Sequence, residues 1–298
     1  MPDLFPESSD ATGIWRVGTA GWSYPRSSGP GTWTGVFYPP SRVDELRFYS
    51  RYFNTVEVNS TFYRPSEART TQAWVERTPE GFEFTLKAPR EFTHDRENWG
   101  PAHAGLFEDG LMPLAEHGRL GGLLFQFPAS FHRTDANRLY LERLLVRFAD
   151  FVRIVELRHG SWSGTDDAAG LGAVPAFIDE PKFEDSIRQE LRPSRGILYV
   201  RFHGRRADTW WRHRTREERY DYLYSREEIE DYAARIEEVA RRETIEKAYL
   251  FFNTHPGAKA VANAVTMRRR LRIPVRAPLP EALVERFPDL GQDEDSGV

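Results

Sequence analysis

Polar and ionisable residues close a series of short apolar runs in this chain: Glu57 and Asn59 in TVEVN, Lys87 in FEFTLK, Gln126 in GLLFQF, Glu156 and Arg158 in VRIVELR, Asp179 in VPAFID, Arg201 and His203 in ILYVRFH, and Asn253 in AYLFFN. Charges at the ends of apolar runs are costly to bury unless they are paired or used. Three acids (Glu57, Glu156, Asp179) stand against three bases (Lys87, Arg158, Arg201), which suits either a self-neutralising ion-pair ring or a ligand site. Taken together at one opening, the set points to a site. Glu57 and Glu156 then form an acid/base pair, and Lys87 is their electrostatic or nucleophilic partner, an amine of depressed pKa or a Schiff-base former. Arg158, Arg201 and His203 make an anion clamp. Asn59, Gln126, Asn253 and Asp179 orient the ligand, and Trp22 and Tyr63 stack on a sugar or base. Trp33, Phe62 and Trp162 are further aromatic walls, with plain packing as the competing reading.

What must position these groups is read from the runs themselves. Eight strands are expected, at 16–20, 55–59, 82–87, 122–127, 152–157, 174–179, 197–203 and 248–253, with helical patterns between them. Ser41 with Asp44, Thr134 or Asp135, and Ser225 with Glu228 read as helix starts. Alternating strands and helices imply parallel pairing, and eight units in about 250 residues is the size of a single-domain (β/α)8 barrel. An open doubly wound sheet competes, but VGTAGW lacks a full GxGxxG run. Alternation sends Thr55, Glu57 and Asn59 inward, with Glu83, Thr85 and Lys87, Ile154, Glu156 and Arg158, Tyr199, Arg201 and His203, and Tyr249, Phe251 and Asn253. Phe177 and Asp179 share one face. The inward polar residues cluster toward the C-terminal strand ends, where barrel enzymes build their sites. A loose tail is expected at 1–13, the barrel at 14–290, and an acidic tail at 291–298.

Composition narrows the chemistry. The 298 residues include no cysteine, which excludes thiolate metal sites and cysteine nucleophiles. A net charge of -4 gives no global pull toward nucleic acid, and no apolar run is long enough to span a bilayer. With no signal-peptide pattern at the start, a cytoplasmic location is expected. His94, His159, His203 and His255 follow strands, but no HxH or HExxH spacing supports a metal, so no metal ligands are assigned. His159 is expected to point away from the axis and cap a helix. The segment 205–219 interleaves Arg205, Arg206, Arg212, Arg214, Arg216 and Arg219 with Trp210 and Trp211. It reads as a solvated crossover balanced by Glu217, Glu218 and Asp221 in preference to a nucleic-acid track. Cofactor and oligomeric state are not legible.

Longer motifs sharpen the reading. VGTAGWSY at 17–24, WTGVFYPP at 33–40, FNTVEVNSTFYRPS at 53–66, TLKAPREFTH at 85–94, LLFQFP at 123–128, VELRHGSW at 155–162, YVRFHG at 199–204 and FFN at 251–253 occur in order. With them the chain resembles the YecE-like family, domain of unknown function 72, over roughly residues 16–272. The resemblance implies a (β/α)8 barrel and no assigned reaction. It lays weight on Gly18, Gly21, Trp22, Glu57, Asn59, Phe62, Tyr63, Lys87, Gln126, Glu156, Arg158, His159, Trp162, Arg201, His203, Gly204 and Asn253. Departures are a long spacer at 25–32, Thr254 in place of a second Asn, and the Arg-rich 205–219 segment. The resulting expectation is acid–base or hydrolytic chemistry on a small anionic, phosphorylated or sugar-like substrate. A metal-dependent nuclease or repair-type nucleic-acid-binding barrel, and a non-enzymatic metabolite sensor or partner scaffold, are the alternatives.

Overall fold

The computed structural model describes residues 13–26, 32–97, 99–275 and 277–292. The tails at 1–12 and 293–298, and 27–31 of the long spacer, lie outside the described residues. Eight strands form one sheet: β1 (Trp15–Thr19), β2 (Thr55–Val58), β3 (Glu83–Lys87), β4 (Leu120–Gln126), β5 (Arg153–Glu156), β6 (Val174–Asp179), β7 (Ile197–Phe202) and β8 (Lys247–Phe252). Their order is β1-β8-β7-β6-β5-β4-β3-β2, and every ladder is parallel. A parallel bridge from Ala20 to Glu57 brings β1 against β2 and nearly closes the cylinder. Gly18 permits that approach, since a Cβ there would lie 2.3 Å from the Thr55 carbonyl oxygen. The architecture is the expected single-domain (β/α)8 barrel.

Alternation sorts the residues into two cores. Val56, Val58, Phe84, Leu86, Val155 and Val200 pack outward against the helical layer. Leu124, Ile154, Val174, Ala176, Tyr199, Tyr249 and Phe251 fill the barrel. Its lower end is sealed by the Glu83 carboxylate, which takes Arg16 at 2.9 Å, Lys247 at 3.0 Å and the Tyr249 hydroxyl.

Local signals set the helices. The Thr134 hydroxyl accepts the Asn137 N–H and starts the helix Asp135–Arg147. Ser225 and Glu228 form a reciprocal capping box on Arg226–Arg242. The first helix, Glu45–Tyr49, is capped by Asp44 alone, so Ser41 stays outside it. Among the described residues the crossover after β5 carries little helix, the turn Gly160–Trp162 and the short helix Asp167–Gly170. A cavity of about 420 Å³ opens there, floored by Val155, Leu157 and Phe177, on the outside of the sheet and away from the mouth. No helix among the described residues is long and apolar enough to cross a membrane.

Strand β6 corrects one expectation. Ala176 and Ile178 register with Tyr199 and Arg201, so they share the inner face and Asp179 looks outward. Its carboxylate accepts from the Tyr224 hydroxyl at 2.5 Å, the Tyr232 hydroxyl at 2.6 Å and Arg205 Nε at 3.0 Å. Asp179 therefore ties the sheet to the helix Arg226–Arg242 and is not a mouth residue. The inward parity continues to Glu180, which takes its place.

Candidate active site

A buried charge ring spans the C-terminal end of the barrel. Arg201 donates from Nη2 to Glu57 Oε1 at 2.7 Å and from Nε to Glu57 Oε2 at 2.9 Å, while its Nη1 donates to Glu156. The Tyr199 hydroxyl adds a bond to Glu57 at 2.8 Å. Arg158 donates from Nε to Glu156 at 2.7 Å, and its Nη1 lies 3.3 Å from Glu180. Glu57 and Glu156 are fully buried, and Arg201 nearly so. Burial works against the charge of Glu156, yet Arg201 and then Arg158 hold it well below the usual carboxylate range. Burial likewise opposes the Arg201 charge, and Glu156 and Glu57 raise it regardless.

This geometry separates residues that the sequence groups together. The fork of Arg201 is consumed by carboxylates, so it cannot clamp an external anion. It acts as a positioning residue, fixing Glu57 and Glu156 across the barrel. Glu57 is similarly committed. Arg158 differs, because among the described residues its Nη1 has no hydrogen bond, only the ion pair with Glu180. Glu180 is buried with its Oε2 unbonded, and burial pushes its carboxyl upward against the pull of Arg158.

Lys87 sits beside the ring without joining it. Its Nζ donates to Gln126 Oε1 at 2.7 Å and lies 4.0 Å from the centre of the Phe62 ring. Among the described residues no carboxylate is within ion-pair distance of it. Burial first, then repulsion from Arg201, lower the ammonium to about 7, against attraction from Glu156. On the neighbouring strand, the residue after Val58 is Asn59, whose buried Oδ1 has no partner. His94 packs on the same Phe62, ring centres 4.9 Å apart, and bonds Thr93 through Nδ1 at 2.9 Å. Burial and then Lys87 bring His94 down to about 4, so its ring is neutral near pH 7.

His203 is buried between Arg158 and Asn253, with Nε2 at 3.3 Å from Arg158 Nη2 and Nδ1 at 3.1 Å from the Asn253 amide. Burial and then Arg201 lower it to about 3. A neutral ring carries one N–H, and both of these neighbours are donors, so Nδ1 accepts from the Asn253 Nδ2 while Nε2 faces the Glu156 carboxylate at 3.6 Å. His203 is thus a rigid spacer in the ring, not a cationic clamp. Trp210 and Tyr220, from the crossover after β7, and His255, after β8, form the adjoining aromatic rim.

Other expectations resolve by position. Tyr63 is exposed at the rim against Phe62. Trp22 instead packs on Trp74 and Phe84 in the helical layer, at centroid distances of 5.4 and 6.5 Å. Gly21, with φ 104°, turns the chain outward there. Trp33 and Trp162 are buried and bond the carbonyls of His255 and Phe131, so they are packing residues. His159 caps the turn Gly160–Trp162 and stacks on His132. Three arginines of the Arg-rich segment are ion-paired: Arg205 with Asp179 and Glu228, Arg206 with Asp208 and Asp221, and Arg214 with Glu218. Thr254 accepts from Asn263 at 2.8 Å, away from the ring. Among the described residues no group of three or more His, Asp or Glu is placed to hold a metal.

Comparisons with known proteins agree with this frame. A family model described as "Protein of unknown function DUF72" matches residues 16–286. UPF0759 protein YunF of Bacillus subtilis (strain 168) is 29% identical over 256 residues, 79% of this chain and 90% of that protein. UPF0759 protein YecE of Escherichia coli (strain K12) is 28% identical over 149 residues, 48% of each chain. A crystal structure of a DUF72 family protein from Thermotoga maritima MSB8 superposes with TM-score 0.77 at 32% identity, covering 87% of this chain and 99% of that one. A second DUF72 family structure, from Enterococcus faecalis V583, gives TM-score 0.77 at 21% identity over 90% of this chain. With most of its length matched by the family model and its barrel shared with these structures, the chain belongs to the DUF72 (UPF0759, YecE-like) family.

Proposed function

We propose that the barrel mouth performs acid–base chemistry on a small, sugar-like substrate carrying an anionic group such as a phosphate or carboxylate. The carrying observation is Lys87: an amine held by Gln126 and Phe62, outside every ion pair in the ring, and close to half neutral near pH 7. Lys87 is the proton-transferring or nucleophilic group. Arg158, whose Nη1 is ion-paired with Glu180 at 3.3 Å but makes no hydrogen bond among the described residues, receives the anionic end, and Asn59 accepts from a substrate hydroxyl. Glu57, Glu156 and Arg201 hold the electrostatic setting that keeps Lys87 reactive, and Tyr63 borders the entrance.

A panel of phosphorylated sugars and sugar acids, followed by ¹H NMR in D₂O, tests this reading. Loss of a C–H signal beside a carbonyl, abolished in Lys87→Ala, supports it. Binding without exchange or turnover marks a ligand-sensing barrel. Neither binding nor exchange across the panel contradicts the substrate class.

A further inference from the structure

We infer that Lys87 forms an imine with the carbonyl carbon of a small aldehyde or ketone whose neighbouring hydroxyl is received by Asn59. This rests on the acid–base reading of the mouth and names its substrate class. Three independent features lead there. The first is the set of contacts around Lys87 Nζ. The chain has four lysines, and two are held by carboxylates, Lys247 by Glu83 at 3.0 Å and Lys259 by Asp221 at 2.6 Å. Lys182, in the loop after β6, donates to the Ile178 carbonyl at 3.3 Å. Lys87 alone combines a carboxylate-free Nζ with a place at the C-terminal end of an inner strand. An amine in a salt bridge must first give up its partner before it can attack. Lys87 has only an amide oxygen and a ring face to leave.

The second feature is the Asn59 Oδ1, one residue past the end of β2 on the strand paired with β3, buried and without a hydrogen-bond partner among the described residues. A buried acceptor without a donor is costly, and a substrate hydroxyl would recover that cost. The third is His94, neutral and packed on the same Phe62 that Lys87 covers. It supplies the proton carrier the reaction needs.

The step balances without a further reagent. The Nζ lone pair attacks the carbonyl carbon, and the C=O π pair moves to oxygen, which takes a proton from the attacking nitrogen. His94 removes the remaining N–H proton from the resulting carbinolamine and returns it to the hydroxyl. Nitrogen then expels that hydroxyl as water, leaving C=N. One carbonyl compound and one amine give one neutral imine and one water. Once it takes a proton from solvent water, the imine draws electrons from the adjacent C–H or C–C bond, which is the acid–base chemistry proposed above.

Borohydride trapping decides the matter. The full chain is incubated at pH about 7.5 with glyceraldehyde 3-phosphate, dihydroxyacetone phosphate or pyruvate, reduced, and peptide-mapped at all four lysines. A lysine near 7 has roughly several hundredfold more free amine at this pH than one near its ordinary value of about 10.4. The expected result is a reduced adduct concentrated on Lys87 for the two hydroxy-carbonyl probes, weaker with pyruvate, which lacks the hydroxyl. Lys87→Arg should give none at this position, and Asn59→Ala should erase the preference over pyruvate while near-ultraviolet dichroism stays native. Adducts spread evenly over the lysines, or none with any probe, overturn the imine. Deuterium exchange that survives without trapping sinks the imine and leaves the acid–base reading standing. Trapping at Lys87 without exchange does the reverse.

Discussion

Arg201 and Glu57 meet across the barrel through two parallel hydrogen bonds, 2.7 and 2.9 Å, while the third side of the same guanidinium closes on Glu156. One fork therefore locks β7 to both β2 and β5. The planar geometry is what allows a single cation to serve two buried carboxylates, and an ammonium could not reproduce it. It also leaves a fixed positive charge beside Lys87, which is one reason that amine loses its proton so readily.

Arg201→Ala should be severely destabilising. Two fully buried carboxylates would lose their main partner, and breaking such a pair costs about 3–5 kcal/mol. Urea denaturation measures it. A loss below about 1 kcal/mol would mean that the ring carries little of the fold's stability.

Lys87→Met should raise stability near neutral pH. The folded protein holds the Lys87 ammonium at about 7, so between there and the ordinary lysine value the unfolded chain binds more protons. Stability contributed through this group therefore rises with pH across that window, and its cost is fully present below it. Removing the amine removes the cost, a gain on the order of 1–3 kcal/mol and a flatter pH dependence of Tm. Calorimetry of both proteins at several pH values checks the sign. A variant less stable than the parent at pH 6 contradicts it.

Asp179→Ala should injure the fold and spare the site. It would strand two tyrosine hydroxyls and Arg205 between the sheet and the helix Arg226–Arg242, a loss of roughly 2–3 kcal/mol. Reactivity of Lys87 toward an acylating reagent should be unchanged in the folded variant. A changed rate profile would place Asp179 in communication with the mouth.

Arg212→Ala combined with Arg214→Ala should leave oligonucleotide binding weak and its salt dependence shallow, because Arg205, Arg206 and Arg214 already hold carboxylate partners. A filter-binding series over salt tests this. Steep salt dependence in the parent, lost in the double variant, would restore a nucleic-acid role.

Much of this was legible before any coordinates. Period-two alternation in TVEVN, FEFTLK and ILYVRFH is strong, with Val, Phe and Leu on one side and polar residues on the other, so Glu57, Lys87 and Arg201 could be placed inside. VPAFID offered no such contrast. Both of its faces are apolar, and the choice between Asp179 and Glu180 turned on register with β7, which no local pattern encodes. The saturation of Arg201 was also hidden, because partners that face each other across a barrel are far apart in sequence. Trp22 was misplaced for a different reason: its position after a strand suggested the mouth, but the left-handed turn at Gly21 directs it into the helical layer. His94 carried a usable signal, standing seven residues after Lys87, yet was weighed only as a metal ligand.

The most direct test is the titration of Lys87 itself. Reductive ¹³C-methylation of the four lysines gives a spectrum in which each dimethylamine can be assigned by single Lys→Arg variants. A midpoint near 7 for Lys87, moving upward in Arg201→Lys as the fork is lost and Glu57 and Glu156 are freed, is the result expected. A midpoint near the ordinary lysine value of about 10.4 would show an ordinary surface-like ammonium and contradict the reactive amine on which the proposed chemistry depends.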